Sequence, residues 1–343
     1  MLVWELKKIA KSKTSLIALI LMMMSLLLVS FIKPFDMENK NEYFDEVRDK
    51  WVTDTRSGNE IAQDKLDIKV NEIKSIANKN VYGIKDNNER ELAKINQQKL
   101  EKDKGEKYKD IIFYQVFEDR ITSPFLMILI VAIIVSISSN IYIDEKISNV
   151  DSIILSSKNK NKVLNSKFLI TLFTPVLVYS LYIAVSFLAT YIQYGSPING
   201  NLEAYRIYSM PMLIRDMTIV QYILSEVGVI TLVLICISIF SGLFSFISQN
   251  TVQSISSSIL FIVIGKLLTL IRFLPNKLSL IIQQSNFIDL LSKNSLISSA
   301  YFGKINILSL NIDISLLCIG VIGFIAIIGI ILNFYVFKKV LNR

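Results

Sequence analysis

The sequence predicts an all-α membrane protein with six transmembrane helices, an N-terminal amphipathic elbow helix and a helical insert between the first two spans. Three observations predict it. Of the 343 residues 52% are hydrophobic, and these collect into runs of about 18 or more, long enough as helices to cross a hydrocarbon core of roughly 30 Å. One long charged stretch with almost no apolar run separates the first two. The formal charge of +8 is unevenly placed: residues 34–120 hold 17 Lys/Arg against 20 Asp/Glu, leaving 20 basic against 9 acidic residues elsewhere. Much of that excess flanks the apolar runs, where positive side chains favour the cytoplasmic face, so the basic balance does not imply nucleic acid.

Residues 1–33 form the elbow and the first span. In Met1–Lys13, Leu2, Leu6, Ile9 and Ala10 share one side of a helix, Lys7, Lys8, Lys11 and Lys13 supply charge, and Trp4 suits the membrane interface. The apolar run Thr14–Ile32 follows. A signal peptide shares the basic start, but the run is long for one, and no small-x-small cleavage site follows Phe31-Ile32-Lys33-Pro34. The insert, residues 34–121, reads as helical and water-soluble. Leu66, Val70, Ile73 and Ala77 line one helical face; Asn78–Gly83 supplies a turn; Asp86 or Asn87 caps a second helix running to about Asp103. After Gly105, Phe113, Phe117 and Ile121 recur every four residues and lead into the next span. A helical hairpin standing on the membrane results; the alternative is a solvated, partly disordered loop, since aromatic residues are scarce before Tyr108.

Residues 122–343 carry the other spans: Ser123–Ile143, Phe168–Ile192 with Pro175 expected to kink it, Thr218–Phe246, Val252–Ile271 and Ile314–Tyr335. Ser248–Asn250 is a short turn. In the loop Arg272–Asp313, Leu278–Ile282 and Phe287–Leu291 are too short to cross and are expected to lie in the interface or dip into the membrane. Met1–Lys13, Asp144–Lys167 and the tail hold twelve basic residues, against six in the two shorter loops opposite. That asymmetry puts both termini in the cytoplasm and residues 34–121 outside the cell, in a multi-pass plasma-membrane protein.

The chemistry is sparse. There is no His, and Cys236 and Cys318 both lie in apolar runs, so the insert has no disulfide. No G-x-x-x-x-G-K-[ST] phosphate loop occurs; Gly265-Lys266 lacks the earlier Gly and the following hydroxyl. No metal cluster, nucleophile elbow or pair of catalytic carboxylates stands out. The expectation is therefore no catalytic residue, no metal and no cofactor on this chain, with energy supplied by a partner or an ion gradient. In the segment 144–167, Ile147, Val150, Ile153 and Ile154 form one apolar stripe on a short helix flanked by Asp144, Glu145 and Asp151, before a Lys-rich turn. Such a helix can seat in another protein's groove, or bind lipid alone. Inside the spans, Glu226 lies ~12 Å and Lys266 ~8 Å below the outer ends at 1.5 Å per residue, heights that would let them pair. Alternatively Lys266 snorkels outward and Glu226 bonds Tyr222 or Ser225.

These features resemble permeases of the type 2 class of ATP-binding-cassette (ABC) exporters. Trp4-Glu5-Leu6-Lys7-Lys8-Ile9 is similar to the family's first residues. Glu145 matches the acidic start of its coupling helix, Ile153-Ile154-Leu155 the apolar pair, Lys160 or Lys162 the basic turn, and Lys167 the closing Lys. Asn149 stands where the family usually has Gly, and Ser157-Lys158 where it usually has a Pro-containing turn. A large outside domain between spans one and two resembles the sodium-efflux and peptide-export branch. The resemblance implies a permease subunit moving an amphipathic substrate (an antimicrobial or toxin-like peptide, a drug or a lipid) out of the cell. It implies a separate ATPase subunit, holding ATP and Mg, that contacts Glu145, Ile147, Val150, Asp151, Ile153, Ile154 and Leu155. A second permease copy or related chain, and the lipid bilayer, are the other implied partners. Abundant Ile, Lys and Asn suggest an AT-rich bacterial genome. Two rival readings are a sensor or immunity protein that binds an outside ligand, and an ion-driven carrier, which would favour internal repeats not evident here.

Overall fold

The computed structural model describes residues 7–8, 11–33, 37, 39–40, 42–45, 50–78, 87–102, 107–207, 215–271, 275–292, 300–301, 303–307 and 310–341. Most of the expected elbow helix over Met1–Lys13 lies outside the described residues, as do Asp86, Gly105 and all but Asn78 of the expected turn.

Helix α1 (Lys13–Leu28) ends in a 3-10 turn at Val29–Phe31 and is followed by the hairpin β1 (Glu42–Asp45) and β2 (Lys50–Thr53). The insert helices are α2 (Gly58–Ala77) and α3 (Asn87–Lys102). Then come α4 (Ile112–Thr122), α5 (Pro124–Asn140), the short α6 (Ile143–Ile147) and α7 (Asp151–Ser156), α8 (Lys160–Tyr194), α9 (Ile219–Ile247) and α10 (Thr251–Leu268). Two short helices, α11 (Asn276–Ser285) and α12 (Phe287–Ser292), and a hairpin of β3 (Lys304–Ile307) and β4 (Leu310–Asp313) precede α13 (Ile314–Leu341). The architecture is mostly helical rather than all-α. Both hairpins are antiparallel, with Tyr43 opposite Val52 and Ile305 opposite Ile312. Four-residue strands are too short to leave a readable alternation in the sequence.

Among the described residues four helices, α8, α9, α10 and α13, are long and apolar enough to cross a membrane. Helices α4 and α5, bent by 44°, make a fifth crossing if taken together, and the apolar helix Leu16–Phe31 is shorter. Taken as one span, that pair would start a helix earlier than the expected Ser123–Ile143. Pro124 opens α5 and disfavours helical geometry at the residue before it, and Ser123 sits at φ −52°, ψ 116°.

Helix α9 is the centre, packing on α5, α8, α10 and α13. Of its most apolar stretch 67% is buried, against 17% for α10. What lets its neighbours close in is visible at Pro175, through which α8 runs as one helix. Proline has no N–H, so the Thr171 carbonyl one turn back loses its helical donor. Ser238 Oγ of α9 supplies a replacement at 2.5 Å and lies 2.8 Å from Ser138 Oγ of α5. One turn on, a Cβ at Gly242 would come within 2.6 Å of Thr171 Cγ2, so a larger residue there would have to push the Thr171 side chain aside. Hydroxyls and small residues replace the hydrophobic effect as interhelical glue in lipid.

Arg120, fully buried at the end of α4, ties the first apolar helix in. Its guanidinium donates to the carbonyls of Ile32 (3.1 Å) and Ser30 (3.3 Å), to Thr190 Oγ1 (2.8 Å) and to Gln193. The insert stands on this end of the bundle. A capping box between Ser57 and Glu60 starts α2, whose Leu66, Ile73 and Ala77 are buried and Val70 partly so, in agreement with the predicted face. Leu66 and Ile73 share a cluster with Phe113, Phe117, Ile121, Tyr222 and Ile223, so the insert and the membrane helices have one continuous apolar contact.

Candidate functional site

The connector between α5 and α8 is two helices rather than the single one expected. Helix α6 ends in a Schellman motif: the Val150 amide bonds the Glu145 carbonyl at 2.9 Å and the Asn149 amide bonds the Lys146 carbonyl at 3.2 Å. The motif requires a left-handed residue, and Asn149 has φ 56°. Asparagine tolerates that conformation, which glycine adopts most freely. The stripe Ile147, Val150, Ile153 and Ile154 is therefore interrupted, and α7 begins at Asp151. At the other end of α6, Ser245 Oγ of α9 accepts from the amides of Tyr142 (2.9 Å) and Ile143 (3.1 Å), while Lys146 Nζ, in its last turn, donates to the Ser248 carbonyl at 2.7 Å.

Glu145 corrects the expected contact set. It is 1% exposed, and its Oε1 lies 2.8 Å from Lys167 Nζ and in an ion pair with Lys8. Lys167, itself 0% exposed, also donates to the Ile141 carbonyl at 2.9 Å. An acid gripped between two lysines inside the protein does not face a partner's surface; it fastens the connector to α8 and to the N-terminal segment. Leu155 likewise turns inward, against a cluster containing Ile141, Leu164, Phe168 and Phe246. Asp151 and Ile154 are half-buried, whereas Ile147, Val150 and Ile153 are exposed, Ile153 by 68%.

The expected approach of Glu226 to Lys266 is not present. Lys266 Nζ instead bonds both carboxyl oxygens of Asp289 in α12, at 2.7 and 2.8 Å. Asn286 supports that carboxylate, donating to Oδ2 at 2.8 Å while its own Oδ1 accepts from the Asp289 amide at 2.9 Å. Glu226 is 0% exposed in α9 and faces Glu118 of α4 and Tyr222. The Tyr222 hydroxyl donates to Glu118 Oε1 at 3.2 Å. Similar depth in the membrane left the direction around the bundle open, and the two side chains point to different neighbours.

A family model for ABC-2 family transporter proteins matches residues 54–332, from just after β2 to near the end of α13. The chain belongs to the ABC-2 transporter family. No curated protein and no solved structure matches it. An ABC-2 permease is the membrane component of a transporter, generally not catalytic itself, and normally pairs with an ABC ATPase subunit. For this permease, sequence reasoning missed Lys8, Glu118 and Asp289. Asp289 left a signal, an acid inside the apolar piece Phe287–Leu291, opposite in sign to Lys266. Glu118 left none, because it sits in a segment taken as part of the soluble insert.

Proposed function

We propose that this ABC-2 permease exports an amphipathic substrate, a peptide, lipid-like or drug-like molecule, using a separate ATPase subunit that docks on the α6–α7 connector. The exposure of Ile147, Val150 and Ile153 carries this reading. Aliphatic side chains left in water on an otherwise polar connector gain about 1.5–3 kcal/mol each when a partner's groove covers them. The Lys8–Glu145–Lys167 clasp behind them, buried at Glu145 and Lys167, makes the connector stiff, so a push on α7 is delivered to α8 rather than lost in the loop. ATP-driven closure of the ATPase subunits then rocks the permease halves and opens a path between them.

The same reading takes α1, the α4–α5 pair, α8, α9, α10 and α13 as six crossings. Both termini and the connector are cytoplasmic, the insert is outside, and the permease works as two copies or with a related chain. Changing Ile147 and Ile153 together to Asp tests the docking, because charge in an apolar groove is costly to desolvate. The expected outcome is at least roughly tenfold weaker co-purification with the ATPase subunit and loss of permease-stimulated ATP hydrolysis, with membrane insertion unchanged. Undiminished co-purification and stimulation in that variant would show that the ATPase docks elsewhere.

A further inference from the structure

Between the start of α8 and the end of α13 lies an open cleft of about 260 Å³, several times the ~30 Å³ share of one water. Asn161, Leu164 and Asn165 of α8 line it together with Phe334, Phe337 and Lys338 of α13. Its floor is apolar and fixed: Leu164 and Phe337 are buried in one cluster with Ile141 and Phe246, and the ring of Phe168 lies 5.2 Å from Phe334 and 6.1 Å from Phe337. Its rim is polar, made of the exposed side chains of Asn161, Asn165 and Lys338. Among the described residues no acid lines the cleft, and neither α8 nor α13 contains an Asp or Glu along its length. Lys162 and Lys339, next in sequence to Asn161 and Lys338, are exposed as well. The positive end of the α8 dipole comes to this mouth, and Lys338 and Lys339 in the last turn of α13 offset that helix's negative end. Two amides and an ammonium can donate there to an anion that nothing in the wall repels.

The cleft continues onto hydrocarbon-facing surface rather than ending in water. In steps of four along α8, Asn161 and Asn165 are followed by the exposed Leu169 and Phe173. Going back along α13, Lys338 is followed by the exposed Phe334, Ile331 and Ile327. Residues three or four apart share a helix face, so each helix turns from polar to apolar along one side, and the polar ends meet at the cleft. Exposed Tyr335, beside Phe334, suits the head-group level of a bilayer. A soluble anion would leave the apolar lane uncovered, and a zwitterionic lipid would bring its own cation towards Lys338. We infer that this cleft binds an anionic phospholipid, its phosphate held by Lys338, Asn161 and Asn165 and an acyl chain laid along Leu169, Phe173 and Ile331. Basic pockets between membrane helices hold acidic head groups in this way. The inference goes beyond the transport reading and does not depend on the direction of insertion.

The test reconstitutes the full chain, with Leu169→Trp as a local reporter, in mixed vesicles of dioleoylphosphatidylcholine and dioleoylphosphatidylglycerol. One lipid at a time is brominated, and quenching is read above the signal of the two native tryptophans. Phosphatidylglycerol should be preferred by about fivefold, the effect of one cation held close to acidic lipid. Leu188→Trp, an exposed reporter towards the other end of α8, should show no preference. Lys338→Gln should abolish the preference, whereas Lys339→Gln, outside the cleft, should keep most of it. Equal quenching by the two lipids at Leu169→Trp, or a preference that survives Lys338→Gln, overturns the site. The same preference at Leu188→Trp, or the same loss in Lys339→Gln, would reduce it to the general charge of this surface. Loss of the preference in excess inorganic phosphate would make it a site for a soluble anion, and no quenching by either lipid would mean that protein covers it. Each of these overturns the proposal. If Lys338→Gln does not insert, Asn165→Leu decides alone: an undiminished preference there overturns the site. No ATPase is present, so the outcome is independent of the docking experiment.

Discussion

At the connector end of the bundle a buried carboxylate lies between two lysines, whereas at the insert end a buried carboxyl forms no ion pair among the described residues. Glu145 and Glu226 are 1% and 0% exposed, and each sits on a helix of the same bundle. Glu145 meets Lys167 at 2.8 Å and Lys8 as well; Glu226 faces another acid, Glu118, and the tyrosines Tyr222 and Tyr179. The difference separates two uses of a buried charge. A compensated ion joins segments that must move together, and it stabilises only while both partners are present. A buried acid outside any ion pair joins no segments by charge and depends on neighbouring hydroxyls instead.

The largest effect should come from breaking the compensated site. Glu145→Gln leaves Lys167 buried without its counter-charge and is expected to destabilise the permease by about 3–5 kcal/mol. Denaturant unfolding in detergent measures this, and the Glu145→Gln/Lys167→Met double variant should recover most of the loss. A single variant as stable as wild type would mean the clasp is not structural.

An intermediate case lies in the insert, where Lys99 of α3 is 1% exposed near Glu203 and Asp216. Burial pulls its ammonium down to about 8, against the opposing pull of those two acids. Between about 8 and the ordinary 10.5 the unfolded chain binds more protons than the folded one, so stability rises with pH across that window and is level below it. The gain is roughly 1–3 kcal/mol, and Lys99→Met should both abolish the slope and raise stability at neutral pH. Unfolding midpoints at neutral and alkaline pH settle it: a falling or flat wild-type profile between pH 8 and 10 would show Lys99 to be fully compensated.

The smallest effect is expected at Glu226. Glu226→Gln removes a buried carboxyl that pairs with neither Lys266 nor another cation among the described residues, so stability in denaturant unfolding should change by no more than the ordinary surface range, about 0.5 kcal/mol, or rise. A loss as large as that of Glu145→Gln would erase the contrast and make Glu226 a structural residue.

Much of the fold was legible because it is local. The Leu66–Ile73–Ala77 face is set by periodicity, and Thr218 and Asn250 mark helix starts by capping side chains that accept from the amides of Gln221 and Gln253. The connector was half legible. Its apolar residues and Lys167 stood out, but the break at Asn149 did not, since asparagine is acceptable both in a helix and in the left-handed turn that ends one. The pairing of Lys266 with Asp289 was misread because depth along a span is a sequence quantity and azimuth is not.

By itself the sequence determined that this chain enters a membrane, where its apolar segments run, and that its charges are segregated. Each follows from hydrophobic length and local order, which need no knowledge of neighbours. Only the tertiary structure decided which charges are compensated. It placed Glu145 against Lys167 twenty-two residues away and Lys8 far earlier in the chain, and left Glu226 facing Glu118. Those contacts depend on how helices rotate and close upon one another. In this bundle that rotation is governed by the packing at Pro175, Ser238 and Gly242, and no single segment encodes it.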